Sequence, residues 1–323
     1  MHENHSVTRN GILLLGGLGL VWGIPYVFIK IAVVELDPAM LVLLRCAVGA
    51  VILLPVAIHR KALLPALKRW RPLLAYTAAE IVFPWFFLNT AEQRLPSSTA
   101  GLLLSAIPLV AIGIAFLMGR RERLHWRNWL GLAVGMIGVA VVVGLDVGTS
   151  DLGAVAMLLV VIVGYALGPA ILARWMSDVP AIGVIALSLA IASIVYLPVV
   201  GATSAWPTAP LSIETIAAVL VLGAVCSALA FIMFFALIAE VGPVRVTAIT
   251  YINPAVAVIA GAVLLGEQIT VWTILGFALV LGGSYLVARH ERPKGRSDEA
   301  EGEHRVGDAG EAGDVRADDV VPG

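Results

Sequence analysis

Three ionisable side chains, Glu80, Arg45 and Lys30, fall inside long apolar runs of this sequence. A charge left unpaired at that depth in lipid costs at least ~2.5 kcal/mol, so each needs a function or a partner. Glu80, near the centre of its run, is the proton-coupling candidate. An apolar setting favours the neutral carboxylic acid and a nearby cation favours the carboxylate. A Glu that alternates between the two therefore loads and releases a proton. Its competing role is a permanent ion pair that ties two helices together. Arg45 is the natural partner: counted at ~1.5 Å per residue from opposite faces, the two differ in depth by roughly 8 Å. Arg45 could hold a substrate carboxylate in a bidentate grip, act as counter-ion to Glu80, or extend to the interface. Lys30 lies closer to the end of its run, where snorkelling accounts for it.

The uncharged cavity-lining candidates are Trp22, Tyr26, Ser105, Tyr165, Tyr251 and Asn253, with ordinary helix packing as the alternative for each. Pro25, Pro108, Pro169 and Pro254 also lie inside apolar runs, where a missing N–H frees a carbonyl and lets a helix bend. Pro108 and Pro254 occupy matching positions in the two halves and are the hinge candidates. Enzyme motifs are absent: there is no H-E-x-x-H, no G-x-S-x-G elbow, no Walker A loop and no zinc-like Cys/His spacing. The expectation is therefore no catalysis, no cofactor and no metal. Without an ATP site, energy must come from a gradient. Cys46 and Cys226 read as small apolar packing residues.

The elements that position these groups follow from composition. The chain has 323 residues, 60% hydrophobic and only 13% charged, with a mean hydropathy of +0.96. Soluble domains run near 45–50% apolar and about 25% charged. The charges cluster between long apolar runs, as in a polytopic helical membrane protein, and nothing resembles a nucleic-acid footprint. Runs long enough for a hydrocarbon core of ~30 Å fall at 12–31, 39–58, 72–90, 97–118, 128–145, 152–174, 180–200, 214–239, 244–265 and 270–288. Loops with Arg60, Lys61, Lys68, Arg69, Arg71, Arg120, Arg121, Arg123 and Arg127 alternate with loops carrying Glu35, Asp37, Asp146, Asp151 and Glu214. The excess of Lys and Arg on one side places both termini in the cytoplasm. From residue 289 the chain is a Gly/Asp/Glu-rich tail, with ten of the 22 acidic residues from Glu291 onward, expected to be disordered.

The chain also repeats itself. Phe86-Phe87, Ala91-Glu92, Pro108 and Glu122 followed by Gly131 and Gly138 recur as Phe234-Phe235, Ala239-Glu240, Pro254 and Glu267 followed by Gly276 and Gly283. In both copies the spacing from Glu to the glycines is nine and then seven residues. Each copy lies in a half of five spans, and an odd number inverts the second half in the membrane. Inverted repeats are a common construction of secondary transporters, with the substrate site where the repeats meet. Gly19–Gly23 and Gly131–Gly135 fit close packing of helices, and Glu122 and Glu267 fit capping of the spans that follow them. The predicted organisation is a cytoplasmic N-terminus (1–11), two five-helix repeats (12–145 and 152–288) and the tail (289–323).

Trp22-Gly23 followed by Lys30, Arg45 in the second span, the Ala-Glu ends of spans three and eight, and the Pro-to-Glu-to-Gly pattern of both halves resemble the EamA-type branch of the drug/metabolite transporter superfamily. The second-half block from Asn253-Pro254 through Gly266-Glu267 to Gly276 is the most specific part; the first half carries one extra residue between Pro108 and Glu122. The resemblance implies a ten-helix carrier of the inner membrane, commonly an exporter of amino acids, metabolites or drug-like compounds. It does not imply a particular solute.

These readings converge on an all-α polytopic membrane protein whose ten transmembrane helices form two inverted repeats around a cavity lined by spans one, three, four, six, eight and nine. The expected function is secondary active export of a small metabolite by alternating access, coupled to protons, by a monomer or homodimer. An uncoupled facilitator with a static Glu80–Arg45 pair, and a membrane sensor or scaffold acting through the tail, are the alternatives.

Overall fold

In lipid an apolar chain can satisfy its backbone only by closing hydrogen bonds within itself, so long apolar runs become helices. The computed structural model describes residues 9–117, 126–147, 151–241, 246 and 249–288. Seven of its helices are long and apolar enough to cross a membrane, and three further apolar helices have 10–17 residues. In chain order the ten spans are Arg9–Ala32, Pro38–His59, Trp70–Glu92, Ser97–Leu104 continued by Ile107–Leu117, and Trp126–Val141 continued by Val142–Val147. The second five are Leu152–Trp175, Ala181–Thr203, Ile213–Val241, Ile249–Leu265 and Val271–Ala288. A short helix, Leu63–Lys68, sits between spans 2 and 3. The tail lies outside the described residues.

Local chemistry sets the ends. Pro38 opens span 2 at a position where a missing N–H costs nothing, and the Asp37 carboxylate accepts from Ala39 N at 2.8 Å. Ser212 caps span 8 by accepting from Thr215 N at 3.1 Å, and Thr270 caps span 10 in the same way from Thr273 N at 3.0 Å.

The packing repeats as the sequence does. Span 5 lies along span 10, span 2 along span 7, and span 4 along span 9. The contact of span 6 with span 3 is matched by that of span 1 with span 8, and span 6 on span 4 is matched by span 1 on span 9. A two-fold relation between the halves generates each of these pairs. Spans 5 and 10 meet through the repeated glycines: a Cβ on Gly283 would sit 2.5 Å from the Gly131 oxygen, and one on Gly276 would meet Gly138 O at 3.1 Å. Gly19 and Gly23 let span 1 lie against Ile252 and Val256 of span 9.

Three spans depart from regular α-helix. Spans 3, 5 and 8 contain widened π turns at Ala78–Val82, Val142–Val147 and Val221–Leu229. Laid on the repeat, in which Glu92 matches Glu240, the first and third fall at corresponding positions. Such turns leave carbonyls free for side chains. Tyr196 of span 7 donates to Val82 O at 2.8 Å, and Ser227 donates to Leu222 O, five residues back, at 2.8 Å.

The prolines behave unequally. Pro108 follows a break at Ser105-Ala106 that divides span 4, whereas Pro254 and Pro169 sit in unbroken helices. Span 1 breaks at Ile24, just before Pro25. The two hinge candidates thus differ: the helix interruption is at Pro108 and not at Pro254.

Candidate functional site

The widened turn of span 3 carries Glu80, and that of span 8 meets Arg45. Glu80 stands on the π turn of span 3 and packs its carboxylate against Gly168 of span 6, next to Pro169, so closely that any Cβ there would collide with it. Its Oε2 is buried and has no hydrogen-bond partner. Tyr76 and Tyr165 lie within electrostatic range.

Arg45 is 6% exposed. Its Nε donates to Ser227 Oγ on the π turn of span 8 at 3.0 Å, and its guanidinium lies over the Trp85 ring, 3.7 Å from the centroid. Gly223 and Gly49 let spans 2 and 8 approach closely enough for that bond. A cation over an aromatic face away from water is stabilised by about 2 kcal/mol. Among the described residues no ion pair joins Arg45 to Glu80. Depth alone suggested the pairing, but the helices turn the two side chains to different neighbours: Glu80 to span 6, Arg45 to span 8. Both groups belong to the first repeat and both pack against the second, Arg45 buried and Glu80 half-buried.

The other candidates differ in their neighbours. Tyr26 lies over Gly101 of span 4, at 3.3 Å from where a Cβ would stand, and within electrostatic range of Arg45. Tyr165 packs against the central core. Trp22 packs edge-on against Phe231 and tilted against Phe234 of span 8, at centroid distances of 5.8 and 5.1 Å. Ser105 donates to Leu102 O and, through its own carbonyl, accepts from Ser284 at 3.3 Å, which holds the break of span 4. Asn253, with its amide turned to donate, reaches Ile249 O and Gly19 O at 3.2 Å each. Trp22, Ser105 and Asn253 therefore do packing work. The Tyr251 side chain lies outside the described residues.

Two acidic residues that sequence reasoning gave no site role define a second polar cluster, at the end of the bundle that carries Glu35. Lys30 does not snorkel; its Nζ donates to the carbonyls of Glu92 at 2.7 Å and Leu95 at 2.9 Å, closing the C-terminal end of span 3. Glu267 does not cap its own span, a task that Thr270 performs. It accepts from Ser97 N at 2.7 Å and Ser98 N at 2.9 Å and so caps span 4 across the repeat boundary. Gly266 makes this reach: its left-handed backbone (φ 67°) ends span 9, and Glu267 N turns back to Gly261 O at 3.2 Å. Burial would raise the Glu267 carboxyl, but the bonds from Ser98 and Ser97 outweigh it and hold the group below the ordinary value of 4.5. Glu122, its repeat counterpart, lies outside the described residues. The repetition of Ala-Glu, and of a Glu nine residues before a glycine, in both halves was the available signal for Glu92 and Glu267.

A cavity of about 550 Å³ opens beside this cluster, lined by Lys30, Glu35, Ser212, Thr215 and Glu267 among others. At the opposite end a cavity of about 440 Å³ is lined by Asn10, Leu13, Leu14, Ala236 and Glu240.

The sequence matches the model of the EamA-like transporter family over residues 9–144 and again over 152–289. The inner membrane transporter YedA of Escherichia coli is 28% identical over 284 residues, covering 84% of this chain and 90% of that protein. A protein named as a probable terminal-alkyne amino-acid exporter of Streptantibioticus cattleyicolor is 29% identical over 219 residues, 66% of this chain and 70% of its own length. One named as a probable amino-acid metabolite efflux pump of Escherichia coli is 24% identical over 296 residues, 86% and 94% of the two chains. A crystal structure aligns with a TM-score of 0.63 at 20% identity, over 88% of this chain and 98% of the solved one, which shows the fold alone. With both halves matched and two packed five-helix repeats on view, the chain is a membrane transporter and belongs to the EamA-like transporter family of the drug/metabolite transporter superfamily.

Proposed function

We propose that this transporter exports a small amphipathic metabolite of amino-acid type by alternating access, driven by inward proton flow, with both termini in the cytoplasm. One observation carries the reading. Glu80 and Arg45 both stand in the first repeat and both pack against the second, Arg45 buried and Glu80 half-buried with one carboxyl oxygen enclosed, at the widened turns or in contact with them. Any rocking of one repeat on the other changes the surroundings of both charges at once. Glu80 exchanges a proton as the Gly168 contact opens and closes, and Arg45 offers its unused N–H groups to a substrate carboxylate. The amino-acid class draws support from the names of the two exporter relatives.

The test is counterflow and pH-gradient-driven transport of a panel of amino-acid-like solutes in proteoliposomes. Glu80→Gln is expected to keep solute exchange and to lose at least tenfold of the gradient-driven component. Normal gradient-driven flux in that variant would remove Glu80 from the coupling.

A further inference from the structure

Glu92 is the last residue of span 3, and its side chain is wholly buried (0% exposed). Neither carboxyl oxygen has a hydrogen-bond partner. A carboxylate can be accommodated away from water by an ion pair, by hydrogen bonds or by taking up a proton. The first is unmade, because among the described residues no cation lies within ion-pair distance and Lys30 spends its ammonium on the Glu92 and Leu95 carbonyls. The second is unmade as well. The groups that face Glu92 are Lys30 and Tyr26 from span 1, Arg45 from span 2 and Glu267 from the turn after span 9. Glu267 is held as an anion by two main-chain N–H groups, so it opposes a second negative charge beside it.

The repeat supplies an independent observation. Glu240 is the counterpart of Glu92, yet it is exposed and borders the cavity at the other end of the bundle. The two matching carboxyls are thus in opposite settings: Glu92 is sealed off from the cavity at its end, and Glu240 borders the cavity at the other.

We propose that Glu92 is a second proton-binding site of the carrier, occupied when its end of the bundle is shut and emptied into the Lys30–Glu267 cavity when that end opens. On opening, water reaches the carboxyl, the proton leaves to solvent, and the Lys30 ammonium moves from the carbonyls of span 3 to the carboxylate. Releasing those carbonyls loosens the corner between spans 3 and 4, which Glu267 grips from its other side. Closing reverses each step and takes up one proton. One proton per closure makes the open-to-shut ratio change by about tenfold per pH unit through the titration range. The inference rests on the reading of the chain as an alternating-access carrier, but not on Glu80.

The test uses the full chain in lipid vesicles. Dicyclohexylcarbodiimide adds to protonated carboxyls in apolar surroundings, and peptide mass identifies the modified residue. Glu92 is expected to be modified at acidic pH and progressively spared as pH rises. No modification of Glu92 at any pH would overturn the site, and this needs no variant to fold. A thiol probe at Leu36→Cys, a position 2% exposed at the same end, then reports opening, since Cys46 and Cys226 are buried. Its reactivity relative to that of the exposed Val34→Cys, a ratio that cancels thiolate formation, is expected to rise with pH in an otherwise natural chain and to be flat in Glu92→Gln; an unchanged slope of the ratio in that variant also overturns the proposal. If no solute moves but Glu92 still titrates, the transport reading fails and the proton site stands. If transport follows the pH gradient while Glu92 is never modified, the reverse holds.

Discussion

At the scale of single residues, the charges of this protein are held by main-chain groups and rings more than by one another. The one salt bridge among the described residues, Arg69–Asp178 at 2.8 Å, is exposed on both sides. An exposed pair of that kind contributes ~0–1 kcal/mol. Glu267 is more consequential, because it satisfies two N–H groups that the start of span 4 would otherwise leave open. Loss of such a cap costs roughly 0.5–2 kcal/mol. Since its bonds hold the folded carboxyl below the ordinary 4.5, its contribution is complete above that value and is lost as pH falls through the lower folded value. Thermal unfolding in detergent is therefore expected to show a loss of stability on acidification below about 4.5 that is reduced in Glu267→Gln. Equal acid sensitivity in the two proteins would detach this carboxyl from the effect.

At the scale of elements, the glycines decide which helices touch. Span 10 lies on span 5 with Gly283 against Gly131 and Gly135 and Gly276 against Gly138, all four glycines of the repeated spacing on one seam. No hydrophobic force separates helix from lipid, so close van der Waals contact must hold this seam. Gly283→Val places methyl groups where the Gly131 carbonyl stands and is expected to destabilise the fold by about 1–3 kcal/mol. The melting temperature in detergent is the readout. An exposed control on the same span, Leu275→Val, should stay near the parent value. A melting point unchanged in Gly283→Val would mean that the seam is not where the stability lies. The π turns belong to this scale as well: Pro108 and Pro254 repeat in sequence, but it is the widened turns of spans 3 and 8 that repeat in structure and hold the charges.

At the scale of the whole molecule, the two halves share a plan and differ in the setting of their matching carboxyls. Glu92 is buried away from the cavity at its end, while Glu240 borders the cavity at the other. The basic loop with Arg60, Lys61, Lys68 and Arg69 lies at the end opposite Glu35, and the proposed orientation puts it in the cytoplasm. Val34 (81% exposed) and Leu64 (63% exposed) sample the two ends. A membrane-impermeant maleimide added to intact cells is expected to react with Val34→Cys, and with Leu64→Cys only after lysis. The opposite pattern would invert the topology.

The sequence by itself determined the class, the ten spans and the twofold plan, because long apolar runs admit helix alone in lipid and because repeated Ala-Glu pairs and Glu-to-glycine spacings stand in the one-dimensional text. It also singled out Glu80 and Arg45, since a charge in an apolar run needs no neighbours to be conspicuous. Only the tertiary structure decided that the two are apart, that Lys30 turns inward to carbonyls, that Glu267 caps a span of the other repeat, and that Glu92 is buried without a partner. Each of these depends on the rotation of one helix about its axis against another. Depth can be counted along a chain at ~1.5 Å per residue, but azimuth is set by which helices pack together.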